Sequence, residues 1–552
     1  MTASDTIGAR LLRRANARPD AVFSVFHARG ETETITFGRV LERSLRYTAV
    51  YAKYGIKRGD IVVVSLKHSP HLFYGFLGAL LAGAIPSFMP FPSSKQNPVH
   101  YWRDHGILFD RIEPAAILTY AENAQALAEH LPRFSARTII ASDALFADVT
   151  PADAALLDRA DADDIACLQH SSGTTSLKKG VMLTHRAIIA AIESYAESIG
   201  LTQGDCIASW LPLYHDMGFI ACFMTSVVLG TRLAALDPFE WVVRPTSLLD
   251  ALERNRASFC WLPNFAFSHI VNAARPQAHW DLSGVRAFIN CSEPCKPATF
   301  ERFLNRFSGS GVRPESLHVS YAMAENVFGV TQTALDRPAR TMRCDADAFA
   351  SGRIEPAQPE RLWTTHLSCG KPIAGVRVQI TDEGGQTLPD GTIGEIRIAS
   401  DFLFSGYHHL PEITKKRLRN GWYHTGDLGF FLDGELYVTG RLDDMLVLNG
   451  RNYYAHEIEA IVNDVPEVLP GRTVALTIDD QRTDSAVAVV LAETRSEPDA
   501  RTFGKAVRQA VQERLGLALH DVVSLTAGSL VKTTSGKISR SENKALYLSK
   551  TP

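Results

Sequence analysis

The chain has 552 residues, more than one hydrophobic core holds, so several domains are expected. Hydrophobic residues make up 45% and charged residues 21%, an ordinary globular balance. The formal net charge of -3 gives no basic excess to draw nucleic acid or an anionic membrane as partner. Of the eight cysteines only Cys291 and Cys295 lie close together. No second pair completes a zinc site, so reduced thiols in a cytoplasmic protein are expected.

The first twenty residues carry basic side chains but no apolar run, which argues against a secretory signal. IVVVSL (61–66) reads as a buried strand, and HLFYGFLGALLA after it as a helix. Residues 72–92 carry no charge and come close to the length of a membrane span. Gly75, Gly78, Gly83, Pro86 and Pro90 interrupt them, so the expectation is a buried helix, a turn at Gly83 and a short buried strand. AAILTY (115–120) and RTIIAS (137–142) read as further strands. This alternation predicts an α/β protein with parallel sheets covered by helices.

Residues 334–366 are poorly patterned and long for a loop, and read as an insertion. From about Val376 the texture changes. VRVQI, GEIRIAS and ELYVTG are separated by DEGG, PDGT and LDG, which predicts a small antiparallel module over about 376–442. Beyond it a helix (AHEIEAIVNDVPEV), paired strands (TVALTI, SAVAVVLAE) and an amphipathic helix (RTFGKAVRQAVQERL) predict a compact α+β domain. The expected division is 1–442 and 443–552, with the boundary in GRLDDM.

Chemistry concentrates first in SSGTTSLKKG, Ser171 to Gly180. It follows a strand-like segment (IACLQ) and precedes a helix-like one. Glycines let backbone N–H groups approach phosphate oxygens, hydroxyls donate to the same oxygens, and lysine offsets their charge. GxxxxGK[ST] is absent, so this is not a Walker A loop. Further on come LPLYHDMGF (211–219), NCSEP (290–294), SYAMAE (320–325), WYHTGDLGF (422–430), GRLDDM (440–445) and KTTSGKISR (532–540).

These seven motifs, in this order, resemble those of the acyl-adenylate superfamily. Its members include acyl-CoA synthetases, peptide-synthetase adenylation domains, luciferases and fatty acyl-AMP ligases. Lys178, Ser176 and Ala322 depart from the usual pattern. The resemblance implies activation of a carboxylic acid with ATP and Mg2+ to an acyl-AMP, with release of pyrophosphate. It implies a phosphate loop at Ser171, Ser172, Gly173, Thr174, Thr175 and Lys179. Ser292, Glu293 and Pro294 would flank the adenine with Tyr321, Ala322, Met323 and Ala324. Asp427, placed at a strand end, and Arg441 would hold the ribose, and Glu325 the metal. His215 would gate the acyl pocket, Lys537 would bridge carboxylate and α-phosphate, and Asp443 would be the hinge of a mobile C-terminal domain. Trp210, His215, Phe265, Phe267 and Phe328 suggest an apolar pocket.

LPLYHDMG, the 334–366 segment and LNGRNYYAHEIE (448–459) are most similar to the fatty acyl-AMP ligase branch. That branch usually delivers its acyl group to a carrier-protein phosphopantetheine. An acyl-CoA synthetase using free CoA is the nearest alternative. A luciferase-like oxygenase and a non-catalytic nucleotide-binding relative stand further off.

Overall fold

A computed structural model describes residues 5–28, 30–92, 98–154, 157, 160–170, 179–448, 451–480, 485–532 and 538–550. A nine-stranded sheet forms its largest layer. In spatial order its strands are Lys371–Pro372, Gly329–Gln332, Leu317–Ala322, Ala287–Asn290, Phe259–Leu262, Cys206–Ser209, Arg232–Leu236, Val22–Ala28 and Glu31–Thr36. The strands from Leu317–Ala322 through Val22–Ala28 are parallel, and antiparallel strands close both edges. A second, four-stranded parallel sheet runs Ile85–Phe88, Ile61–Ser65, Ala116–Thr119, Thr138–Ile140. Every residue of Ile61–Ser65 is buried, as the continuous apolar run predicts for a strand covered on both faces.

The uncharged stretch at 72–92 resolves as helix His71–Leu81 followed by strand Ile85–Phe88. Its glycines permit close packing rather than bending. A Cβ on Gly78 would sit 2.5 Å from the Tyr47 Cβ and 2.7 Å from the Ser44 carbonyl oxygen, on the neighbouring helix Phe37–Lys53. No helix among the described residues is long and apolar enough to cross a membrane.

The antiparallel module pairs Val376–Thr381, Gly394–Ser400, Trp422–Leu432 and Glu435–Arg441 in succession. Its eleven-residue strand Trp422–Leu432 was expected only to the extent of a strand end at Asp427. The Gly-rich TGD sequence resembles a turn, and register shifts on both sides of it break the alternation that would reveal a strand. Asp427 therefore lies within a strand, directly opposite Arg441, and not at a strand end. A second unexpected strand, Gly180–Thr184, pairs antiparallel with Ile165–His170 before helix His185–Ile199 begins.

The 334–366 segment also has more structure than its composition suggests. Strands Thr341–Asp345 and Trp363–Leu367 pair antiparallel around a short helix, Ala346–Ala350. One continuous apolar core runs from Ile7 to Leu436. Most buried residues beyond 445 build cores around helices Ala455–Asn463 and Ala500–Leu515 and the paired strands Val468–Asp480 and Ser485–Thr494, while Tyr454 packs with Cys344, Phe349, Leu428, Phe430 and Tyr437.

Candidate active site

Strand Leu317–Ala322 carries Tyr321 near its C-terminal end, and a short 3-10 turn, Ala324–Asn326, then buries Glu325. Tyr407 Oη donates to Glu325 Oε1 at 2.6 Å and lies 3.1 Å from Tyr423 Oη. Lys179 Nζ stands 5.1 Å from the centre of the Tyr407 ring. Burial pushes the Lys179 ammonium below its usual range; the charge of Glu325 opposes this, while Arg417 and Arg441 add to it. Both facts place Lys179 and Glu325 in one shared, partly dry site.

Asp427 completes the other side. Tyr321 Oη donates to its Oδ2 at 2.5 Å, and Arg441 Nε lies 3.3 Å from its Oδ1. Burial raises the Asp427 carboxyl above its usual value, against the opposing influence of Arg441 and the Tyr321 hydroxyl. Tyr321 thus presents its hydroxyl to Asp427. Ala322 and Met323 are half-buried beside it and Ala324 is buried. The turn after strand Ala287–Asn290 holds Ser292, at φ +71°, with Glu293 and Pro294; Glu293 Oε2 accepts from the Phe265 N–H at 3.1 Å. Asp443 is exposed in the 3-10 turn Leu442–Asp444 that leaves Arg441.

His215 sits between strand Cys206–Ser209 and a π-helix, Met217–Met224, a rare winding that recurs at functional sites. Its Nδ1 is 2.7 Å from Asp216 Oδ1. Tyr214 and Gly218, on either side of this pair, help line an apolar cavity with Leu72, Phe73, Phe88 and Leu236. It is narrow, with a volume of about 40 Å³. The aromatic residues expected to line the pocket are engaged elsewhere. Trp210 stacks on Trp241 at 3.5 Å, Phe267 packs on Phe300 and Phe303, and Phe328 meets Tyr195 edge-on.

The insertion touches the segment beyond the hinge. Arg451 forms an ion pair with Asp347, and the Phe349 and Tyr454 rings lie 5.6 Å apart. Arg540 Nε donates to Asp444 Oδ1 at 3.0 Å; its Nη1 donates to Glu459 and to the Ala475 carbonyl. Ser171, Ser172, Gly173, Thr174, Thr175 and Lys537 lie outside the described residues.

Tyr407 and Tyr423 were missed by sequence reasoning. Tyr407 is 82 positions from Glu325, and nothing in its SGYHHL context marks it apart from other buried aromatics. The donor set suits magnesium only in one way. Among the described residues no group of three or more metal-ligating side chains gathers, whereas one buried carboxylate completed by substrate phosphate oxygens is the usual magnesium arrangement.

The AMP-binding enzyme family matches residues 11–408, and the chain belongs to it: this is an adenylate-forming ligase, a class that uses ATP. Among its members the chain is similar to fatty-acid ligases. It is 30% identical to the medium-chain-fatty-acid–[acyl-carrier-protein] ligase JamA of Moorena producens, over 95% of this chain and 92% of that protein. It is 30% identical to the long-chain-fatty-acid–AMP ligase FadD32 of Mycolicibacterium smegmatis, over 89% of this chain and 85% of that one. A solved structure from a study of E. coli and L. pneumophila fatty acyl-adenylate ligases superposes with a TM-score of 0.90 at 26% identity, covering 98% and 97% of the two chains.

Proposed function

We propose that this ligase activates an acid with an apolar chain and passes the acyl group to the phosphopantetheine thiol of a carrier protein. The observation that carries the first half is the convergence of Glu325, Lys179, Asp427 and Arg441, joined through Tyr407 and Tyr321.

The acid carboxylate attacks the α-phosphorus of ATP and pyrophosphate leaves. Two anions meet, so the barrier falls only where fixed cations and donors face the forming bond. Asp427 accepts the ribose hydroxyls and Arg441 steadies it. Tyr321 and the Ser292–Pro294 turn enclose the adenine. The Ser171–Thr175 loop cradles the phosphates, with Lys179 at its end. A lysine already destabilised by burial and by two arginines gains most when a polyphosphate arrives. Glu325, oriented by Tyr407, would hold Mg2+, which offsets phosphate charge. His215 stands where the acid's carboxylate meets its chain, and Lys537 spans carboxylate and α-phosphate.

We divide the chain at 442/443, with Asp443 as the pivot of the C-terminal domain. The carrier-protein reading is supported by the contact of Asp347 and Phe349 with Arg451 and Tyr454, which ties the insertion to the segment just past the pivot. A carrier protein brings docking energy that can favour the transfer arrangement, which free CoA lacks. The relatives named as an acyl-carrier-protein ligase and an AMP ligase point the same way.

Carboxylate-dependent pyrophosphate exchange over a panel of acids tests the first half; no exchange with any acid refutes it. Transfer of one acid to CoA and to several holo carrier proteins, side by side, tests the second. Efficient CoA thioester formation overturns the carrier reading and leaves adenylation standing.

A further inference from the structure

The run Lys415-Lys416-Arg417-Leu418-Arg419 resembles a solvated basic stretch in sequence. The fold separates one member from the others. Lys415, Lys416 and Arg419 are exposed, while Arg417, the last residue of helix Pro411–Arg417, is half-buried. Its Nη1 donates to the His424 carbonyl at 3.3 Å. The guanidinium lies against the turn before Asp427, with Nη1 2.8 Å from where a Cβ on Gly426 would stand. Gly426 has φ +72°, a backbone that disfavours any side chain, and a side chain there would also push the guanidinium aside. Among the described residues Arg417 forms no ion pair, although its charge is felt at Lys179, Tyr407, Tyr423 and Asp427. A guanidinium cannot shed its proton, so a half-buried one without a carboxylate is a standing electrostatic cost.

We infer that Arg417 is a phosphate-binding residue that holds the β- and γ-phosphates of ATP and the pyrophosphate they become. This rests on the adenylation reading above and adds a residue that none of the seven motifs assigns to phosphate. Its charge reaches both the Asp427 carboxyl and the Lys179–Tyr407 pair, so a triphosphate running from a ribose at Asp427 towards Lys179 would lie within its field. Its planar fork matches two phosphate oxygens, whereas a lysine offers one point charge. On that reading the attacked α-phosphoryl falls to Lys537, which leaves the departing pyrophosphate, the more highly charged product, as the partner for Arg417. The glycine in Thr425-Gly426-Asp427 then has a second use: it makes room for the cation as well as for the turn.

The test uses the full-length enzyme and the variants Arg417→Met and Arg417→Lys. Calorimetry measures binding of magnesium pyrophosphate, a readout independent of turnover. Steady-state kinetics give KM for ATP in the forward direction and for pyrophosphate against preformed acyl-AMP in reverse. Arg417→Met should weaken pyrophosphate binding and raise both KM values about 10- to 100-fold, the effect of losing a charge-assisted hydrogen bond. Arg417→Lys should recover part of the loss. Acyl transfer from preformed acyl-AMP should be unchanged. Unaltered pyrophosphate binding in Arg417→Met would overturn the assignment. So would an equal loss of acyl-AMP affinity, which would make Arg417 a prop for the ribose turn. Failure of all acids in the exchange assay would refute the adenylation reading instead, and pyrophosphate binding would still report on Arg417.

Discussion

Replacing Tyr407 with phenylalanine removes one oxygen and leaves the ring that faces Lys179. The hydroxyl it removes bonds to Glu325 at 2.6 Å, and the two residues are 3% and 9% exposed, so water cannot readily replace it. A hydrogen bond to a charged group contributes about 1.5–3 kcal/mol, and losing it leaves a buried carboxylate one donor short. If that energy serves to orient Glu325 towards the metal and phosphates, Tyr407→Phe lowers kcat/KM for adenylation about 10- to 150-fold. The assay is pyrophosphate exchange at saturating acid with ATP and magnesium varied, run beside chemical denaturation of the same samples. A rise in the magnesium needed for half-maximal rate should accompany the loss. Activity within twofold of the parent would refute the reasoning. So would a loss that follows the unfolded fraction, since Tyr407 would then only support the fold.

Lys537→Ala should slow acyl-AMP formation roughly 100- to 1000-fold while sparing transfer from preformed acyl-AMP; equal losses in both steps would remove Lys537 from its role. Asp443→Pro should leave acyl-AMP formation nearly intact and slow transfer, as rapid-quench measurement of each half-reaction would show; a normal transfer rate would exclude Asp443 as the pivot. Lengthening the acid should lower its KM about fourfold per methylene until the cavity is full, then no further; a preference for the shortest acids would separate the cavity from the substrate. Burial pushes the Glu457 carboxyl up to about 7 from 4.5, so the folded chain holds that proton longer than the unfolded chain does. Stability should therefore fall as pH rises between about 4.5 and 7, by up to about 1.4 kcal/mol per unit, and level off above. Urea denaturation across that range should show the slope flattened in Glu457→Gln; an unchanged slope would clear Glu457 as its source.

The motifs were legible because each gathers residue types that few other contexts bring together, as Ser, Thr, Gly and Lys do at 171–180. The parallel sheets were legible because strands buried on both faces read as unbroken apolar runs, as at Ile61–Ser65. Pairings between distant segments were not. Tyr407 and Glu325 meet only because the antiparallel module folds back onto the edge of the main sheet. The strand carrying Asp427 hid behind its own glycines and bulges. The cavity was legible only in part. Its wall at 211–218 falls in the LPLYHDMGF motif, whereas its walls at 66–89 and 233–239 have the composition of ordinary core, and Trp210 stacks on Trp241 instead of lining it.

Arg540 follows Lys537 by three positions and is bonded to Asp444, to Glu459 and to the Ala475 carbonyl. One cation thus joins the root of the lysine segment to the residue beside the pivot, to a helix and to a strand. If Asp443 is the pivot proposed above, a rotation there would carry Asp444, Arg540, helix Ala455–Asn463 and strand Val468–Asp480 as one piece, because a single guanidinium fastens them together.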